Sequence, residues 1–170
     1  MANSINVDTA SLFQCAAILL SGLLAGLMYG YDCSIVKGLA ILPDEQYLQA
    51  FRSFNTTIQN PYFMISFIGS LLVLPVATWL SYHHNNSLTF YLLLTASLLY
   101  VIGVFGVTIG FNVPLNEQLD NFPLLNATTD DISAMRKAFE RPWNKYHTIR
   151  TVASIISFFL SILSLVKHKI

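Results

Sequence analysis

Leu88–Asn116 reads LTFYLLLTASLLYVIGVFGVTIGFNVPLN. Leu88–Phe111 carries no charged residue, and an α-helix needs about 20 such apolar residues to cross ~30 Å of hydrocarbon. The run then stops at Asn112-Val113-Pro114-Leu115-Asn116, two amides around a proline. A lipid-facing body ending in a chemically loaded mouth is the pattern to look for elsewhere in the chain.

Three further segments match it, at approximately 10–36, 61–82 and 149–166. The 170 residues are 54% hydrophobic and 11% charged, far below the ~25% charged residues of an ordinary soluble domain. Alternation of short strands, as in a membrane β-barrel, is missing, whereas helices satisfy their own backbone in lipid. The expectation is a single domain over 1–170: an all-α integral membrane four-helix bundle. Residues 1–11 lack Lys and Arg, so the first segment reads as a retained span rather than a signal peptide. Zero net charge and no basic block give no support for nucleic-acid binding. Cys15 and Cys33 would lie about 27 Å apart on one helix, beyond the ~7 Å limit for bridged Cα atoms.

The connections are unequal. His83–Ser87 is a short turn, whereas 37–60 and 112–148 are long and leave the bundle at the same end. In the first, Pro43 suits the first helical position, and Asp44 and Glu45 suit the positive N-terminal dipole. Tyr47, Phe51, Phe54 and Ile58 recur at helical spacing, beside a polar stripe of Arg52, Asn55 and Gln59. The second starts extended through Pro114 and Pro123, and Thr128 with Asp130 and Asp131 marks a helix start. That helix is expected to reach about Glu140, where Pro142 kinks or restarts the chain. Together the two connections make a partly helical cap. Gly22, Gly26 and Gly30, four residues apart, form a smooth stripe for close helix packing, within the bundle or between two copies.

Lys and Arg are concentrated on the cap side, which favours a cytoplasmic cap. Several of them are also suited to hold the cap together, so sidedness stays open. The setting expected is a bacterial cytoplasmic membrane.

The chemistry concentrates at the capped end. Trp143, His147 and Arg150 stand at i, i+4 and i+7 and share one helical face, with Asn144 at its flank. Such a face can stack an aromatic ligand, exchange a proton and hold an anion, or it can anchor a helix end at the interface. Polar groups at this depth are costly without partners. Asp32 is the natural partner for Arg150, or it meets water at the end of the first helix. Asn112 and Asn116 can cap freed backbone groups or present amide donors to a substrate oxygen. No metal-ligand spacing, haem-attachment motif or nucleophile elbow is present, and no metal is expected. Paired broken helices and midplane charges, the marks of a transporter, are missing too.

Phe51-x-x-x-Asn55-x-x-Ile58-x-Asn60-Pro61, then Asn112–Asn116, then Trp143-Asn144-x-x-His147-x-x-Arg150-Thr151 occur in this order. Together they resemble the anthrone oxygenase-like family of small four-helix membrane proteins, over nearly the whole chain. The resemblance implies a four-span bundle. For some members it implies oxidation of an anthrone to an anthraquinone by dioxygen. It gives candidate status to Asn55, Asn60, Asn112, Pro114, Asn116, Trp143, Asn144, His147 and Arg150. An anthrone enolate is electron-rich enough to react with dioxygen directly, so no cofactor is expected beyond dioxygen as co-substrate. His147, with an ordinary pKa near 6.5, is cast as base. Arg150 with Asn112 or Asn116 would stabilise the enolate. Trp143 with Phe51 or Phe54 would stack on the rings, and Arg52, Asn60 and Asp32 complete the candidate set. The other reading is a non-catalytic membrane protein that binds a lipid or small molecule, or assembles through the glycine stripe, with polar cap residues acting as rivets.

Overall fold

The structure, a computed structural model, describes residues 8–83 and 87–166 and holds five helices, with no strand among those residues. Four are long and apolar enough to cross a membrane: α1 (Thr9–Ala40), α3 (Pro61–His83, apolar to Tyr82), α4 (Ser87–Asn121) and α5 (Thr129–Val166). The fifth, α2 (Asp44–Thr57), lies in the α1–α3 connection. The chain is an integral membrane helical bundle. His84, Asn85 and Asn86 of the expected short turn lie outside the described residues.

Each spanning helix packs on two others, in the cyclic order α1, α3, α4, α5. Leu24, Met28, Phe67, Leu74, Leu93, Tyr100 and Val104 fill the centre. Helices come closest where side chains are smallest. A Cβ built on Gly103 would stand 2.7 Å from the Ala153 Cβ of α5, and one on Gly22 would stand 2.7 Å from the Phe158 ring. Gly26 and Gly30 meet nothing within 4 Å, so the stripe serves internal packing at Gly22 and is open beyond it. Gly103→Val should therefore push α4 off α5 and destabilise the protein by about 1–3 kcal/mol, the cost of overpacking. Gly26→Ala should leave the melting temperature in detergent unchanged or raised.

α5 turns an unusual face inward: Ser154, Ser157, Ser161 and Ser164 are all buried. Their hydroxyls are satisfied by backbone, Ser161 and Ser164 by carbonyls of their own helix and Ser157 by the Ala96 carbonyl of α4. Small polar residues let helices approach without leaving an unpaired group in lipid.

The expected spans were too short at the capped end. α4 does not stop at Asn112 but runs on to Asn121, and only from Phe122, with ψ 128°, is the backbone extended. Pro114 is tolerated because a π-helical segment, Thr108–Asn112, precedes it and places it in the first turn of the last α stretch, where its missing N–H matters least. α5 is likewise one helix from Thr129 to Val166 with Pro142 inside it, so the expected restart does not occur. Its start is as expected: Thr128 Oγ1 accepts from the Asp131 N–H at 3.2 Å, and the Asp131 carboxylate accepts from Thr128 in return. In α2 the start is one residue later than expected. Pro43 is the extended cap residue, and Asp44 opens the helix.

The cap has its own core. Leu39, Tyr47, Leu48, Phe51, Leu119, Leu124, Ile132, Met135, Phe139 and Trp143 pack together. Two arginines fasten it by gripping helix ends. Arg136 donates to the Ala40 and Leu42 carbonyls at the end of α1 and pairs with Asp44 and Glu140. Arg52 donates to the Leu119 and Phe122 carbonyls at the end of α4. Helix ends leave carbonyls without intrahelical partners, and a guanidinium satisfies several at once. Burial pushes the Tyr47 phenol above its ordinary range. Glu140 adds to this and the Arg136 guanidinium, 4.4 Å over the ring, opposes it. Tyr47 is thus a neutral wall of this core.

Candidate functional site

Between the bundle core and the cap core lies a cavity of about 330 Å³, within the ~300–1,000 Å³ range of small-molecule sites. All five helices reach it. α1 gives Leu27, Met28 and Tyr31; α2 gives Phe54, Asn55, Ile58 and Gln59; α3 gives Phe63, Met64 and Phe67. α4 contributes Thr108 and Ile109, then Val113, Asn116, Glu117 and Asp120; α5 contributes Trp143, His147 and Arg150. The last four α4 residues fall at i, i+3, i+4 and i+7 and so form one helical face. The walls are mostly apolar and aromatic.

Trp143, His147 and Arg150 do share a face, and they touch. The indole lies nearly parallel to the imidazole, centroids 5.0 Å apart and planes at 17°, and the Arg150 guanidinium carbon is 5.1 Å from the indole centre. Trp143 Nε1 donates to Asn116 Oδ1 at 2.7 Å, and Asn112 Nδ2 donates to the Trp143 carbonyl at 3.2 Å. Tyr31 closes the other side, its ring edge-on to His147 at 5.3 Å and 6.2 Å from Phe54.

Arg150 is 8% exposed, and among the described residues it pairs with no carboxylate. The expected Asp32–Arg150 pair is not formed. α1 enters a π-helical segment at Tyr31, and the residue it turns to the cavity is Tyr31. Asp32, the next residue and about 100° further round, stays outside the lining. Instead Arg150 Nε donates to His147 Nδ1 at 3.2 Å and Nη1 donates to Thr108 Oγ1 at 3.3 Å. Both acceptors are neutral, so the cation is held but not neutralised.

The same bond fixes His147. An arginine Nε always carries its proton, so His147 Nδ1 must be the acceptor and the neutral ring carries its hydrogen on Nε2. That Nε2–H is buried and has no hydrogen-bond partner. The Met28 carbonyl on α1 is the backbone acceptor nearest to the ring, short of full hydrogen-bond geometry. In this arrangement His147 offers the cavity a donor rather than a lone pair.

Other expected residues divide by place. Asn55 lines the cavity, and its Nδ2 is a second buried donor without a partner. Phe54 and Asn116 line it too. Asn112 is buried one turn below, its Oδ1 unpartnered but outside the lining. Asn144, also with an unpartnered Oδ1, faces elsewhere. Asn60 is an N-cap: Oδ1 accepts from the Phe63 N–H at 3.1 Å and Nδ2 donates to the Thr57 carbonyl at 2.9 Å. Arg52 is a rivet, and Phe51 is sealed in the cap core, edge-on to Trp143 at 4.7 Å, so it cannot stack on a ligand in the cavity. Sequence reading missed Tyr31, Thr108, Glu117 and Asp120. The last two follow from the Asn116 face once α4 is known to continue past Pro114. No group of three or more His, Cys, Asp or Glu side chains able to hold a metal occurs among the described residues.

The chain is a four-span membrane protein with a cap-covered cavity that holds a buried cation without a carboxylate partner. A sequence model of the anthrone oxygenase family matches residues 61–160, which take in α3, α4 and most of α5. The chain belongs to that family. No curated protein and no solved structure matches it.

Proposed function

We propose that the protein oxidises a lipophilic aromatic ketone or quinol, of the anthrone type, with dioxygen inside this cavity. The observation that carries the reading is the unpaired Arg150 beside the free His147 Nε2–H, both at the inner end of an aromatic-walled cavity. Donors waiting in a low-dielectric pocket stabilise charge that develops on an oxygen, and they need no reorganisation to do so. An anthrone supplies that charge. Loss of one methylene proton leaves an enolate whose oxygen meets Arg150 and His147. Trp143, Tyr31 and Phe54 flank the rings. The enolate carbon then reacts with dioxygen, and loss of water from the hydroperoxide gives the quinone. In sum, one CH2 and one O2 become one C=O and one H2O, dioxygen taking four electrons. Family membership supports the reading.

The alternative, a purely structural cap, accounts for Arg52, Arg136, Asn60 and Asn112. It does not account for an open cavity lined by two residues, His147 and Asn55, whose buried Nε2 and Nδ2 donors complete no hydrogen bond among the described residues. A ligand-binding role without turnover keeps the cavity and loses the chemistry. Purified protein in detergent, given anthrone in air-saturated buffer, should consume one dioxygen per quinone formed, well above the protein-free rate. Quenching of Trp143 fluorescence without any oxygen uptake would mark a binder instead.

A further inference from the structure

We propose that the rim carboxylates of the cavity, Glu117 with Asp120 beyond it, take the proton from the substrate carbon, while His147 and Arg150 hold the oxygen at the opposite end. This rests on the oxidation proposed above and names the base for it.

The cavity is chemically one-sided. Its inner end carries donors only: Nε2–H of His147, which is 1% exposed, and the guanidinium of Arg150. Asn55 adds its unpartnered Nδ2. Each can stabilise an anion, and none can accept a proton. The two acidic groups in the lining are Glu117 and Asp120, at i and i+3 on one face of the last turns of α4. Both are exposed, and neither makes a hydrogen bond or ion pair with a described residue, so structural work does not occupy them. Glu117 stands nine residues beyond Thr108, the anchor of Arg150, which is about 13 Å along the helix. Asp120 is nearly one turn further out. In an anthrone the acidic carbon lies across the central ring from the oxygen, so with the oxygen among the inner donors that carbon faces the rim. The rest of the distance falls to the Glu117 side chain, which a helix directs back towards its N-terminus and hence towards the inner end.

In the step itself the substrate C–H bond breaks and its proton forms an O–H bond on the carboxylate. The electron pair passes into the ring system and appears as charge on the oxygen facing Arg150. The proton then leaves to water at the exposed rim. The separation also keeps the base from pairing with Arg150, which would cancel the charge that the enolate needs.

The test separates proton removal from oxidation. Under argon in D2O, the full-length protein in detergent is mixed with anthrone, and deuterium entry at the methylene is followed by mass spectrometry. Wild type should accelerate exchange. E117Q/D120N should fall by ~10²-fold or more, towards the buffer rate, as expected for loss of a general base. Both positions are exposed and unbonded, so the fold should survive, which retained binding of a hydroxyanthraquinone would check. H147Q, which keeps an N–H donor, should retain a measurable share of the exchange. Wild-type exchange in E117Q/D120N, or its complete loss in H147Q with normal exchange in the carboxamide variant, would overturn the assignment of the base and leave the oxidation standing. No exchange and no oxidation by wild type would overturn both.

Discussion

Arg150→Met is expected to remove at least ~10²-fold of the oxidation rate and, at the same time, to raise the melting temperature in detergent. The first effect follows from losing the one fixed positive charge at the inner end of the cavity. Single oxyanion donors are worth on the order of 10²–10³ in rate, and the guanidinium adds full charge to the donor role. The second follows from what Arg150 costs. It is almost fully buried and meets only neutral acceptors, His147 Nδ1 and Thr108 Oγ1. Thr108 keeps its own bond to the Val104 carbonyl at 2.7 Å, so the variant orphans one acceptor, on His147, at about 1–3 kcal/mol. Desolvating an unpaired ion costs several kcal/mol, which is the larger quantity. A thermal melt beside an oxygen-electrode trace reads both effects. A lower melting temperature in Arg150→Met would mean that the arginine is a structural tie and that charge storage in the cavity is not its role.

Trp143→Ala should be the most damaging single change to the fold, at about 3–5 kcal/mol. The side chain is 3% exposed and belongs to two neighbourhoods. One side packs in the cap core against Phe51 and Phe139; the other stacks on His147 and walls the cavity. Truncation opens a void at the junction and frees Asn116. Trp143→Phe separates packing from hydrogen bonding, because it keeps a ring but leaves Asn116 Oδ1 without the Nε1 donor. Its expected cost is about 1–3 kcal/mol. Chemical or thermal denaturation of the two variants, compared with wild type, checks the order Ala worse than Phe. Equal losses would put the whole effect in the one hydrogen bond.

The bundle was legible because lipid imposes one rule on every span: an apolar run near 20 residues with its own hydrogen bonds. The cap was legible in part. Thr128 with Asp131 is a local signature and marks the start of α5 correctly. The prolines misled at Pro114 and Pro142. Each is a breaker by itself, yet each is absorbed, Pro114 by the π segment before it and Pro142 within the long α5. That error hid the last turns of α4 and, with them, Glu117 and Asp120. Trp143, His147 and Arg150 were found from spacing on one helix. The Arg150 partner was not, because it depended on whether Tyr31 or Asp32 faced inward, a rotation set by a π segment that leaves no mark in composition. The direction of the Arg150–His147 bond, which decides donor against acceptor, is set by side-chain rotamers that residue spacing does not encode.

The π segment Thr108–Asn112 also sets a counting rule for this chain. A π turn is an α turn holding one residue too many. Relaxing that turn to ordinary α winding without removing a residue would rotate everything beyond it by roughly a quarter turn, because a π residue turns the chain by less than the ~100° of an α residue. Length and hydropathy of α4 would hardly change, and the membrane would register no difference. Asn116, Glu117 and Asp120 would nevertheless swing off the cavity together, with Trp143 losing its amide partner. Deleting one residue in the turn would cancel that rotation, because the surplus residue and the wider turn belong together. The surplus residue therefore acts as the phase key of α4: a chain of this architecture without it presents the same lock only if it winds this turn as plain α-helix.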